Sequence, residues 1–316
     1  MLSVESMNSF KTVSFKHLVL FFLSLLCLSQ AATLVRLANT QPEVIGFWRL
    51  LGAGLILMPF AYHHHAYKPL KTSSTKEWFW ILLSGVFFFA HLWTYFYAAH
   101  NTRIAHCMII FSTNPLFTAI GARLFFNEKL NWKLGVSYAL AIAGLLQLFS
   151  GDSWDLSLKP ESLYGDLASL FSAILYSGYL LTGRRVRSKF SNLAYASLIY
   201  LTASICFLGM GVGRQIDFFN HPAITWWAIL GTIVFPTLLG HAIFTYLLKE
   251  MNINLMSCGK LIEPVLSSIA AWLLFNEELK NHTFIAFAFT ASSILIMFVP
   301  WKVPFRKKAP QPNLEI

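Results

Sequence analysis

Lys260 and Glu263, in the stretch Gly-Lys-Leu-Ile-Glu-Pro-Val-Leu-Ser-Ser from Gly259 to Ser268, put two opposite charges three positions apart inside a long apolar run. On a helix, residues three apart share a face. A charge inside hydrocarbon is costly and normally turns toward a cavity or a partner. Pro264 follows the glutamate and has no N–H for the carbonyl of Lys260, four residues back. That carbonyl needs water, a side chain or a ligand. These residue types suit a kinked, hydrated helix. In it Lys260 holds a carboxylate, and Glu263 neutralises it, binds an amine or carries a proton. The alternative, an ion pair that satisfies only itself, stays open.

Other groups in apolar surroundings could share that work. Histidine as a residue type can change charge near neutral pH, so His91 and His241 are candidates for proton coupling or a hydrogen bond to substrate; each could equally bond a neighbouring helix. The run 87–100, Phe-Phe-Phe-Ala-His-Leu-Trp-Thr-Tyr-Phe-Tyr-Ala-Ala-His, offers Trp93 and Tyr97 for stacking on a planar substrate, with Tyr246 later in the chain. Most aromatics in such runs face lipid or the interfacial belt, so one face of the helix matters. Ser169, Ser172 and Tyr176 share a face, although small residues there also permit close helix packing. Gln30 is a polar candidate on the first apolar run.

The elements that position these groups follow from composition. The chain has 316 residues, 56% hydrophobic and 12% charged, against about a quarter charged in soluble domains. It is expected to be an all-α polytopic membrane protein. Spanning helices need about 20 apolar residues. Ten such runs are found, near 17–37, 42–61, 77–99, 104–125, 132–150, 164–183, 192–212, 224–248, 253–275 and 282–300. Leu28-Ser29-Gln30-Ala31 loosely resembles a signal-peptidase site, but the repeat described below requires that segment as a helix. With the N-terminus inside, 16 of the 24 Lys and Arg residues fall in inner segments, five in outer segments and three within spans. Positive residues favour the cytoplasmic side, so both termini are expected in the cytoplasm, in a plasma membrane of bacterial inner-membrane type. The net charge of +10 therefore implies no nucleic acid. The four cysteines and the run His63-His64-His65 carry no metal or disulfide spacing, and no cofactor is expected.

Asn114–Leu130 and Glu263–Leu279 align without gaps at an offset of 149, with 8 of 17 positions identical, including Pro115 with Pro264 and a shared Phe-Asn-Glu-x-Leu end. The chain thus divides into two five-helix repeats, 17–150 and 164–300. An outer loop, 151–163, joins them, and short tails, 1–16 and 301–316, flank them. Five is odd, so the repeats are inverted. Inverted repeats are common in secondary transporters, whose sites lie between the halves at interrupted helices. Under the same offset His91 falls one residue from the position of His241, and Tyr97 coincides with Tyr246.

The segments 42–60, 99–149, 164–186 and 263–279 resemble the EamA-type transporters of the drug/metabolite transporter superfamily. The resemblance covers nearly all of the chain outside its tails. It implies ten helices around a cavity lined mainly by helices 1, 3, 4, 6, 8 and 9, alternating access, and usually export of metabolites such as amino acids. Glu263 and Pro264 match the Glu-Pro of the family's ninth helix. Asn114 stands where many relatives carry glutamate, so the two halves are electrostatically unequal. Arg49 matches the arginine of the second helix, a helix expected at the periphery of the cavity, and is expected to be structural, capping carbonyls of a neighbour.

The sequence lacks a Gly-x-x-x-x-Gly-Lys-Ser/Thr loop, which argues against ATP-driven transport by this chain. It also lacks His-Glu-x-x-His, and its aspartates fall in or near outer loops, which argues against an intramembrane enzyme. The expected function is export of an amino acid or other carboxylate or zwitterion. Import or exchange of a larger metabolite such as a nucleotide derivative, and a non-transporting sensor or assembly subunit, are the alternatives. The expected partners are a small-molecule substrate, the lipid bilayer and a coupling proton, with a homodimer also open.

Overall fold

The computed structural model describes residues 15–127, 132–151, 160–186, 190–247 and 262–298. Lys260 lies outside them. Each of the ten expected spans contains helix, and no strand occurs among the described residues. The helices are α1 (Phe15–Ser29), α2 (Ala31–Ala38), α3 (Pro42–His63), α4 (Thr75–Asn101), α5 (Ile104–Phe111), α6 (Asn114–Phe126), α7 (Trp132–Gly151), α8 (Pro160–Val186), α9 (Asn192–Gly213), α10 (Ala223–Thr232), α11 (Ala242–Leu247), α12 (Ile262–Phe275) and α13 (Asn281–Phe298).

Among the described residues three spans are interrupted, and local chemistry accounts for two of the interruptions. Between α5 and α6 the chain breaks just before Pro115, which begins the new helix in the position that needs no N–H. The side chains at the break bond carbonyls behind them. Ser112 Oγ donates to the Met108 carbonyl at 2.7 Å, Thr113 Oγ1 to Ile110 at 2.7 Å, and Asn114 Nδ2 to Phe111 at 2.9 Å. Between α10 and α11, Ile233–His241 widens into a π-helix around Pro236. There Thr237 Oγ1 donates to the Thr232 carbonyl at 2.8 Å. The third interruption is the turn at Gln30 between α1 and α2.

The shared Phe-Asn-Glu end has a backbone cause. Asn127 and Asn276, counterparts at the 149 offset, both adopt left-handed backbone, with φ of 54° and 53°. Asparagine tolerates this conformation because its short side chain bonds locally, and a left-handed residue is a common helix terminator.

Packing exchanges the halves. α3 runs along α9, and α7 along α13. α4 packs on α8, as α1 does on 233–247; α5 and α6 pack on α8, as α12 does on α1 and α2. Apart from α5 on α8, whose counterpart 253–260 lies outside the described residues, each of these pairs maps onto itself or onto another when the halves are interchanged. Where α3 meets α9, a Cβ at Gly46 would stand 2.4 Å from the Phe207 ring, so only glycine permits that approach.

Large apolar side chains such as Phe60, Leu124, Trp227 and Leu273 point outward, each more than half exposed, while Glu43, Arg49, His91 and Asp166 are buried. An apolar exterior around a polar interior fits hydrocarbon surroundings. Six helical segments among the described residues are long and apolar enough to cross a membrane. The protein is a multi-pass membrane protein.

Asn276→Val is expected to lower stability by about 1–2 kcal/mol, the cost of a branched side chain in left-handed backbone, and Asn276→Gly to be tolerated. Thermal unfolding of both variants in detergent checks this.

Candidate functional site

The interrupted helices enclose a cavity of ≈ 60 Å³. A water occupies about 10–15 Å³ in this measure, so the space suits a handful of waters and must widen around a metabolite. Helix α4 supplies its longest wall, with Phe88, His91, Leu92 and Tyr95 at helical spacing. Leu28 and Ala31 flank the turn at Gln30. Met108 and Phe111 precede the break at Pro115. Tyr176 comes from α8, Pro236 and His241 from the π-helix, and Glu263 from the first turn of α12. These are the helices expected to line the cavity.

Arg49 of α3 is the addition. It was expected at the cavity's periphery as a cap for backbone carbonyls. It stands on the cavity wall, 2% exposed, and its Nε donates to a side chain, Thr237 Oγ1, at 2.9 Å. The π-helix brings that hydroxyl within reach. The guanidinium lies 5.7 Å from the centre of the Phe96 ring, and its buried Nη1 has no hydrogen-bond partner among the described residues. Burying a charged donor without a partner costs several kcal/mol.

The structure brings together four of the other residues singled out in the sequence: His91, His241, Tyr176 and Glu263. His91 bonds Ser172 Oγ through Nδ1 at 2.8 Å. Its ring stacks on Phe111 at 5.2 Å and sits 4.9 Å from Tyr176. Tyr95 donates to Met108 Sδ at 3.1 Å. Ser169 and Ser172 serve packing, donating to the carbonyls of Cys107 and His91.

Several expected site residues are elsewhere. Trp93 and Tyr97 lie off the stripe formed by 88, 91, 92 and 95. Trp93 Nε1 donates to the buried Glu43 Oε1 at 2.9 Å, and Tyr97 stacks on Trp93. Gln30 bonds the neighbouring Ser29 hydroxyl, and Asn114 closes the Phe111 carbonyl. The side chain of Tyr246 and all of Lys260 fall outside the described residues. Pro264 is buried at the start of α12, and its carbonyl accepts from Ser268.

A polar cluster at one end of the bundle was not anticipated. Arg36 donates to the carbonyls of Ala99 and Thr102 and to Glu277 Oε1. Glu277 also accepts from the N–H of Ile104 at 3.1 Å. Beside it, Thr102 donates to Asp166 at 2.6 Å, and His106 Nδ1 lies 3.7 Å from the same carboxylate.

Residues 15–150 and 163–299 match the EamA-like transporter family. The chain belongs to that family. It is 26% identical, over 74% of its length and 75% of the relative's, to the S-adenosylmethionine uptake transporter of Rickettsia bellii (strain RML369-C). To the uncharacterized transporter YyaM of Bacillus subtilis (strain 168) it is 23% identical, over 73% and 76%. A solved crystal structure shares the fold at a TM-score of 0.62, with 15% identity over 90% of this chain and 96% of the other. This EamA-like protein is therefore a transporter of a small molecule across a membrane.

Trp93→Phe removes a donor from the buried Glu43 carboxylate. Stability is expected to fall by about 1–3 kcal/mol while the transport KM stays unchanged, as thermal unfolding and a transport assay would show.

Proposed function

We propose that this EamA-like protein is a secondary transporter of a zwitterionic, amino-acid-type metabolite, exporting it by alternating access through the cavity. The observation that carries this reading is a cavity with Arg49 on one helix and Glu263 on another, in which a buried N–H of Arg49 has no partner among the described residues. A carboxylate would accept from that guanidinium, for which planar oxygen pairs are the matching ligand. An ammonium group would face Glu263, and the rings around His91 would pack on the remainder. Arg49 takes the part first considered for Lys260. Among the described residues one arginine and one glutamate line the cavity wall, which suits one carboxylate and one amine better than a polyphosphate.

A second reading, uptake, draws on the rickettsial relatives, which are named as S-adenosylmethionine uptake transporters. S-adenosylmethionine itself carries an α-amino-carboxylate, so the same head-group chemistry serves either direction. Glu263, His91 and His241 are the groups placed to carry a coupling proton. The charge distribution over the loops supports a plasma-membrane location with both termini cytoplasmic.

Proteoliposomes loaded on either side with labelled amino acids or S-adenosylmethionine test the reading. Arg49→Ala and Glu263→Gln are each expected to cut transport at least about a hundredfold, the scale of losing a charged partner in a dry site, while eluting as intact protein in gel filtration. Arg49→Lys is expected to retain part of the activity. Normal transport by both Arg49→Ala and Glu263→Gln would overturn the site.

A further inference from the structure

The 149 offset that pairs the two Phe-Asn-Glu ends also pairs Thr33 with Thr182 and Arg36 with Arg185. Their surroundings match. The Arg36 guanidinium lies 5.5 Å from the centre of the Phe275 ring, and that of Arg185 lies 5.7 Å from the centre of the Phe126 ring. Residues 126 and 275 are themselves counterparts at the same offset. One contact has thus been built twice, and the inverted halves put the copies at opposite ends. Arg36 bonds the carbonyl of Ala99, near the end of α4, while Arg185 lies 4.5 Å from the ring centre of Trp80, near its start. These α4 positions are about 29 Å apart at ~1.5 Å per residue.

Among the described residues, each copy holds further groups; residue 128, the counterpart of Glu277, lies outside them. Arg36 pairs with the Glu277 carboxylate and bonds two carbonyls, tying α2 to the turn between α4 and α5 and to the end of α12. Ala31, Tyr95 and Met108 of the cavity wall lie about one helical turn from Arg36, Ala99 and Ile104, so this knot sits directly over the cavity. Arg185, more exposed, rests on the rings of Trp80 and Phe126, and Phe126 also carries Arg184 at 4.5 Å. Ring faces hold a cation by about 0.5–1 kcal/mol when exposed.

We infer that Arg36 and Arg185 are the paired gate residues of the transport cycle. Arg36 with Phe275 and Glu277 seals the outer end, and Arg185 with Phe126 and Trp80 is the equivalent seal of the inner end. The structure is then latched outside by Arg36 and Glu277. Substrate leaves or enters at whichever end has its arginine released. The assignment goes beyond the substrate reading, because it concerns access and not what is bound.

The test needs no substrate. In a chain with its four native cysteines replaced, Ala31→Cys reports on the cavity through its reaction with a membrane-impermeant maleimide. The reagent is applied to intact cells for the outer face and to inverted vesicles for the inner face. Glu277→Gln and Arg36→Glu are each expected to speed labelling from outside about tenfold, as a shift toward the outward-open population. The exchange Arg36→Glu with Glu277→Arg is expected to restore the slow rate, which excludes simple misfolding. Arg185→Ala is expected to speed labelling from inside only. Unchanged rates, equal changes from both faces, or a charge exchange no slower than Arg36→Glu alone would overturn the assignment.

Discussion

A charge or free backbone group inside hydrocarbon must meet a partner or face a cavity. In this bundle the partners come from the other half of the chain. Arg49 finds Thr237, 188 positions on; Glu43 finds Arg214, 171 positions on, at 2.5 Å; and Arg36 finds Glu277, 241 positions on. Apolar packing among these helices has little to gain from leaving lipid, so shape and polar pairing decide which faces meet. The exchange of helices between halves is the geometry those pairs stabilise. The cavity lies where the exchanged helices converge and where their backbones are interrupted.

The interruptions follow the same rule in different ways. At 112–114 three consecutive side chains bond the carbonyls behind them, so the break before Pro115 is satisfied within its own segment. At 233–241 the wider turn also hands a hydroxyl to Arg49. π-helical turns are rare and gather at functional sites, and this one contributes both Pro236 and His241 to the cavity. A broken helix of the first kind is finished structurally, whereas one of the second kind is tied to a charged group in the cavity.

Much of this architecture was legible in the sequence because it rests on signals that survive without a partner in view. Apolar run length located the helices, and the duplicated Pro and Phe-Asn-Glu block revealed the repeat. Helical spacing implied that one face of α4 matters without saying which. Polarity alone nevertheless made Trp93 attractive, since Glu43, the acceptor for its indole, is fifty positions away. Arg49 was assigned to the periphery because its helix was judged as a whole, and the π-turn that brings Thr237 to it has no reliable local signature. Asn114 looked like a ligand group until its carbonyl partner, three residues back, came into view.

The exchange of helices has a consequence for how the molecule is made. Synthesis and insertion proceed from the N-terminus, so the first five helices enter the bilayer before their main packing partners exist. α3 must wait for α9, α4 for α8, and α7 for α13. During that interval Glu43 has no Arg214, Arg49 no Thr237, and Arg36 no Glu277. The nascent first half therefore displays a carboxylate and two guanidinium groups whose partners in the second half are still missing. Such a half resembles the kind of membrane intermediate that chaperones shelter and proteases remove. A chain truncated after α7 should be short-lived in the cell, although each of its helices can insert.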